Sequence, residues 1–266
     1  MSGPDSDRRP TAHDEVNAIL RALLAGVRAA LGDQLVGIYL EGSLALGAFD
    51  PASSDVDFVV ATRDDLPPGA VERLRVMHNT LEASGLPYAQ RLEGAYIPCA
   101  ALRRYDPAHA RHPTIGTVWD FQIAPFDENW ILKYSILHEQ GIAVWGPPPA
   151  ALIEPVSPDE LRRAVRSQLR DVWAPRATDC AWLREREYQA FSILTLCRAL
   201  HTLRHGTLAS KPRAATWASA EYPQWQPPIA WALAHRADHG DARAAETAAT
   251  MAFLRAALDE AKTLGS

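Results

Sequence analysis

The sequence predicts an α+β protein in two parts: a first domain with a mixed β-sheet flanked by helices, then an all-helical bundle. Three observations carry that prediction. Up to about residue 150, helix-period segments alternate with short β-branched and aromatic runs. Past the breaker Gly146-Pro147-Pro148-Pro149, only helical patterns follow. With 266 residues, 47% hydrophobic and 22% charged, the chain is long enough for two ordinary domains, each with its own core.

Taken in order, residues 1–12 mix Gly, Pro, Asp and Arg without period and are expected to form a disordered tail. The first domain is then 13–150. Val16, Ile19, Leu20, Leu23, Leu24 and Val27 recur at helical spacing, so Asp14 to Leu31 is an amphipathic helix that Gly32-Asp33 ends. Leu35 to Leu40 reads as a buried strand. Leu44 to Phe49 reads as a short helix or turn, and Asp50-Pro51-Ala52-Ser53-Ser54 has the composition of a loop. Asp55 to Ala61 is a second strand, Pro68 to Ser84 a helix stopped by Gly85, and Tyr88 to Ile97 a third strand. Pro107 to Pro125 is rich in turn formers and takes no clear assignment. Asn129 to Gln140 is helical. The helical domain is 151–266. It opens with Ser157 as N-cap, Pro158 at the first helical position and Glu160 three residues after the cap. Helices are expected at 158–173, 180–205, 211–220, 227–238 and 241–263.

Composition excludes several classes. Lys plus Arg is 27 and Asp plus Glu is 32, a net charge of −5. That opposes broad nucleic-acid binding and tolerates a cationic small molecule. Cys99, Cys180 and Cys197 show no CxxC spacing, which opposes a disulfide framework or a thiolate zinc site. No apolar run approaches the roughly 18 residues of a membrane span. The polar start MSGPDSDRRPTAHDE does not read as a secretory signal. A cytoplasmic monomer with no membrane or nucleic-acid partner is expected.

The chemistry concentrates in Gly42-Ser43, an eleven-residue gap, then Asp55-Val56-Asp57. Side chains at i and i+2 of a strand share a face, with Cα atoms ~6–7 Å apart. Two carboxylates so placed repel unless a cation lies between them, and they suit Mg²⁺ shared with phosphate oxygens. Gly42 lets backbone N–H groups approach a phosphate, and the Ser43 hydroxyl can donate to it. In the alternative, Asp55 caps a turn and Asp57 sits on a solvated edge. The apolar Val56, Phe58, Val59 and Val60 argue against it, because a carboxylate on a buried strand needs a partner. Glu93, on the third strand, is the candidate third carboxylate, as metal ligand or as base for an attacking hydroxyl. Its alternative is an exposed Glu paired with Arg91.

Gly42-Ser43 and Asp55-Val56-Asp57-Phe58 at this spacing resemble the signature of the DNA polymerase β-like nucleotidyltransferases. Leu92-Glu93, the run Trp130-Ile131-Leu132 to Gly146-Pro147, Leu194-Thr195-Leu196-Cys197-Arg198, Thr207 to Lys211 and Trp217-Ala218 are similar to one branch. That branch is the aminoglycoside (3″)(9)-adenylyltransferase type, which modifies streptomycin and spectinomycin. The resemblance spans roughly 15–260. It implies adenylyl transfer from ATP to a drug hydroxyl, with two Mg²⁺ ions. Asp55 and Asp57, with Glu93, would hold metal, and Glu93 would be the catalytic base. Ser43 and Ser54 would contact the nucleotide phosphates, and Lys211 would reach them from the second domain. Arg198 would face nucleotide or snorkel to the surface.

A polycationic drug calls for carboxylates and aromatic faces. Trp182, Glu185 and Glu187 fall where the resembling family contacts its drug, although Arg184 and Arg186 are interleaved and could pair with the acids along the helix. Trp119 is a further candidate. His112 and His138 read as ordinary histidines. Glu41, directly before Gly42, departs from the family pattern, which has an apolar or aromatic residue there. It either adds an acid to the site or points outward. Other outcomes remain open at this level: another small-molecule or protein hydroxyl as acceptor, or a noncatalytic nucleotide-binding regulator.

Overall fold

The computed structural model describes residues 9–117 and 119–264. Most of the expected tail, residues 1–8, lies outside them. Its last residues are not frayed. The side chain of Asn17, buried at the start of the first helix, accepts from the Thr11 N–H and hydroxyl and donates to the Thr11 carbonyl. That satisfies local polar groups which would otherwise be buried unpaired.

The chain divides into two units: 1–49 with 54–155, and 50–53 with 156–266. The first holds α1 (Asp14–Leu31), β1 (Leu35–Leu40), α2 (Gly42–Ala45), β2 (Val56–Thr62), α3 (Pro68–Glu82), β3 (Leu92–Pro98), α4 (Cys99–Leu102), β4 (Arg111–Gly116), β5 (Trp119–Pro125), α5 (Trp130–Gln140) and β6 (Ile142–Trp145). The six strands form one mixed sheet in the order β5-β4-β3-β2-β1-β6. Only β2 and β3 run parallel, and α3 makes the crossover between them.

Strand alternation separates the two faces of the sheet. Ile38, Leu40, Val56, Phe58, Val60, Leu92 and Tyr96 share a core with Val16, Ile19, Leu20, Leu23 and Val27 of α1 and Ala70, Val71 and Leu74 of α3. The intervening Tyr39, Val59, Ala61, Ala95 and Ile97 are buried on the other face. Leu23 is fully buried, so Leu23→Ala would cost roughly 2–5 kcal/mol.

Three expectations change here. The third strand starts at Leu92, not Tyr88: Tyr88 takes a left-handed φ of 63° and residues 89–91 form a 3₁₀ turn, so the chain cannot extend before Leu92. The short helix or turn expected over Leu44 to Phe49 is a helix that starts earlier, at Gly42, and ends at Ala45, with a turn after it. The unassigned 107–125 segment is a β4–β5 hairpin at the sheet edge. Its Pro residues conceal the strands: Pro113 lies in β4 just past the residues paired with β3, and Pro125 ends the edge strand β5.

The second unit holds α6 (Pro158–Gln168), running on through a π-turn at 169–173, α7 (Ala174–Arg176), α8 (Arg186–His205), α9 (Lys211–Glu221), α10 (Gln226–Ala234) and α11 (Ala244–Thr263). Ser157 and Glu160 form the expected capping box on α6. α8 is buried almost all round, from Gln189 to Leu203, and is the central helix of this unit. The helices expected from 180 and 241 begin later, at Arg186 and Ala244, and the one expected over 227–238 ends at Ala234. Residues 180–183 close a turn instead, and Glu185 and Asp241, just ahead of the two helices, pair as an isolated antiparallel bridge. No helix among the described residues is long and apolar enough to cross a membrane.

Candidate active site

β1 stops at Leu40, yet its pairing with β2 continues for one residue, because the Glu41 N–H donates to the Asp57 carbonyl at 3.1 Å. Gly42 then turns the chain with φ +58°, a region that favours glycine. A Cβ at Gly42 would overlap the Asp57 carboxylate, so only glycine lets the turn and the acid lie this close. α2 starts there. On the other side of β2, Asp57 is in parallel register with Glu93 of β3. Adjacent strands lie ~4.8 Å apart. Glu41, Asp57 and Glu93 therefore form one row of carboxylates across three neighbouring strand ends. By alternation the row lies on the sheet face opposite α1 and α3.

This row carries excess negative charge. Glu41 is sealed, with 1% of its side chain exposed, and its Oε1 accepts from the Lys133 ammonium of α5 at 2.6 Å. Burial pushes the Glu41 carboxyl up, Asp57 and Glu93 push it further, and Lys133 opposes them. For Lys133, burial alone would lower the pKa, but the attraction of Glu41, Asp57 and Glu93 more than offsets this and holds the ammonium charged. Asp55, just before β2, is half-exposed and pairs with Arg91 at 3.4 Å. Arg91 in turn lies over the Tyr88 ring. The buried Ser43 hydroxyl, at the start of α2, has no hydrogen-bond partner among the described residues.

Two of these features fit a hard divalent cation bound together with a phosphate. The donors are carboxylates, which suit such an ion, and the buried Ser43 hydroxyl has no partner among the described residues and is free to donate to a phosphate oxygen. Among the described residues no three His, Cys, Asp or Glu side chains already converge on a metal position. Asp55 would have to exchange Arg91 for the ion.

The other candidates are placed as follows. Ser54 lies in the loop leading into β2. Trp119 opens β5, opposite Gly116; since β4 pairs Ile115 with Gly94, this hairpin tip lies at the sheet end that carries Glu93. Trp119 is 42% exposed. In the second unit, the Trp182 indole donates to the Arg176 and Asp179 carbonyls and its ring meets Tyr188 edge-on. Glu185 is the exposed N-cap residue of α8, and Glu187 pairs with His239 at 2.6 Å. Arg186 does not pair with its helix neighbours. It joins Asp238 and Glu246, brought to it by the chain reversal after α10. Lys211 is the first residue of α9, behind the N-cap Ser210, and its ammonium lies 3.9 Å from the Phe191 ring centroid. Arg198 is half-buried on α8. His138 donates from Nδ1 to the Ile153 carbonyl, and His112 is buried against Phe126. Lys133 is the residue that sequence reasoning missed. The available signal was a lone charged residue within a largely apolar helical stretch, Ile131 to Leu137.

A mixed sheet with a Gly-Ser turn facing carboxylates on its central strands, followed by a helical unit, defines a two-domain nucleotidyltransferase. The comparisons agree. The family model for the nucleotidyltransferase domain matches residues 20–117, and that for the aminoglycoside adenylyltransferase C-terminal domain matches 151–260. Together the two matches fall one in each unit and support an aminoglycoside adenylyltransferase enzyme. Among solved structures, the fold is similar to spectinomycin adenyltransferase AAD(9) from Enterococcus faecialis, crystallised with ATP and spectinomycin. The TM-score is 0.71 at 17% identity, over 92% of this chain and 98% of that one. No curated protein matches the sequence.

Proposed function

We propose that this enzyme transfers AMP from ATP to a hydroxyl of an aminoglycoside-type antibiotic, streptomycin or spectinomycin, and releases pyrophosphate. The observation that carries the reading is the acid row Glu41–Asp57–Glu93 beside the Gly42–Ser43 turn. The turn would bind phosphate oxygens through backbone N–H groups and the Ser43 hydroxyl, with Ser54 as a second hydroxyl. Asp55 and Asp57, with Glu93, would hold Mg²⁺, which when bound neutralises charge on the triphosphate. Glu93 would accept the proton of the drug hydroxyl as its oxygen attacks the α-phosphorus in line; the bond to the bridging oxygen breaks and pyrophosphate leaves with the electron pair. Lys211 and Arg198 are assigned to the nucleotide, and Trp119, Trp182, Glu185 and Glu187 to the drug, on their chemistry and on the family resemblance.

The test is pyrophosphate release from Mg-ATP against a drug panel, with Asp57→Ala and Glu93→Ala run beside the natural chain. Release that depends on one drug and vanishes in both variants is the expected result. Release that survives Asp57→Ala would overturn the site, and ATP binding without release for any drug would overturn the acceptor.

A further inference from the structure

We propose that Lys133 binds the phosphate oxygens of the nucleotide, with Glu41 as the positioning residue that aims it. This rests on the nucleotidyl-transfer reading of the same site.

An ammonium carries three donors. Glu41 takes one of Lys133's at 2.6 Å. Its other contact is the face of Trp130, 5.0 Å to the centroid, and Trp130 is itself stacked on Phe126. Two donors therefore have no acceptor among the described residues. The pair is lopsided: the Glu41 side chain is 1% exposed and that of Lys133 29%. The acid is the sealed anchor and the cation is the accessible end. Asp57 and Glu93 both act electrostatically on Lys133, so its charge lies at the acid row where the phosphates are proposed to bind.

Stability does not account for this pair. Glu41 is a buried acid next to two others, and two apolar residues of similar volume would join this strand end to α5 at least as well. What apolar residues cannot supply is a cation fixed in advance of the substrate. The neighbouring Arg91 is engaged by Asp55.

Three variants test the proposal: Lys133→Met, the double variant Glu41→Gln/Lys133→Met, and Lys133→Arg. The single Met variant strands a buried carboxylate; the double variant removes both charges and keeps both volumes. Each is titrated calorimetrically with Mg²⁺ and α,β-methylene-ATP, and with adenosine as a phosphate-free control. Thermal midpoints and drug-dependent kcat and KM are read in parallel. The double variant is expected to melt at or above the natural chain and to bind adenosine equally. It should bind the triphosphate analogue about tenfold or more weakly, because a charge-assisted contact is lost. Lys133→Arg should recover most of the binding. A double variant that binds the analogue and turns over within about twofold of the natural chain would overturn the proposal. If the natural chain binds the analogue but transfers to no drug, the acceptor assignment fails while the Lys133 comparison stands. If Asp57→Ala abolishes transfer while the double variant is unaffected, Lys133 fails and the reaction stands.

Discussion

The acid row of the first unit and the Arg186 cluster of the second each set carboxylates around one cation, and the two are built differently. At Arg186, each acid accepts a backbone N–H beside the guanidinium. Asp238 accepts the Gly240 N–H as well as Arg186, and Glu246 accepts the Arg243 N–H as well as Arg186. The Gly240 bond, with Arg186, holds the Asp238 carboxyl below its usual range; at Glu246 burial opposes, but the Arg243 bond and Arg186 prevail. In the row, burial and like charge push Glu41 the other way. The Arg186 cluster ties the start of α8 to the segments after α10. The acid row is left with surplus acid, an unpartnered hydroxyl at Ser43 and a partly used ammonium at Lys133. The Arg186 cluster is satisfied from within the chain; the row leaves groups that the proposed nucleotide would engage.

The sharpest break in this comparison is Asp57→Asn. Transfer should fall by roughly a thousandfold or more, since the role proposed for Asp57 needs its charge. The melting midpoint should hold or rise, because a repulsive neighbour is removed; a marked drop would class the row with Arg186 as structural.

The second prediction locates the acid sensitivity of the first unit away from the row. His78 is buried among Phe58, Tyr96 and Phe121, with Nε2 at 2.7 Å from the Tyr96 hydroxyl, and burial lowers its pKa to about 4. The unfolded chain takes a proton near pH 6.5 and the folded chain only near 4. The contribution of the neutral ring is therefore present above pH 6.5 and is lost as pH falls towards 4, by about 3 kcal/mol. Urea titrations from pH 7 to 4 should show this slope, and His78→Leu/Tyr96→Phe should flatten it. An unchanged slope in that double variant would assign the effect elsewhere.

Third, Arg186→Leu should lower the thermal midpoint by several degrees, since it strands Asp238 and Glu246 together. Calorimetry showing no change would remove the contrast with the row. The smallest effect is expected at Ser157→Ala, which deletes half of the α6 capping box and should cost about 1 kcal/mol in chemical denaturation.

Legibility in the sequence followed the range of the interaction. The strand carrying Asp57, the glycine before Ser43 and the capping box at Ser157 are local patterns, and each is found where it was expected. The β4–β5 hairpin was illegible because its prolines act as breakers unless they fall outside the paired ladder, and which residues are paired is a property of the whole sheet. The partners of Arg186 were missed because they lie 52 and 60 residues away. Local spacing offered Glu185 and Glu187 in their place.

The sequence by itself determined the two-part architecture and the Gly42–Ser43 and Asp55–Asp57 motif, because periodicity and turn chemistry act over a few residues. Only the tertiary structure decided which carboxylates stand together. Strand register placed Glu93 beside Asp57, one further backbone hydrogen bond brought Glu41 into the row, and the packing of α5 set Lys133 against it. A charge pattern between distant segments is written in no local stretch of chain; it exists once the strands have paired.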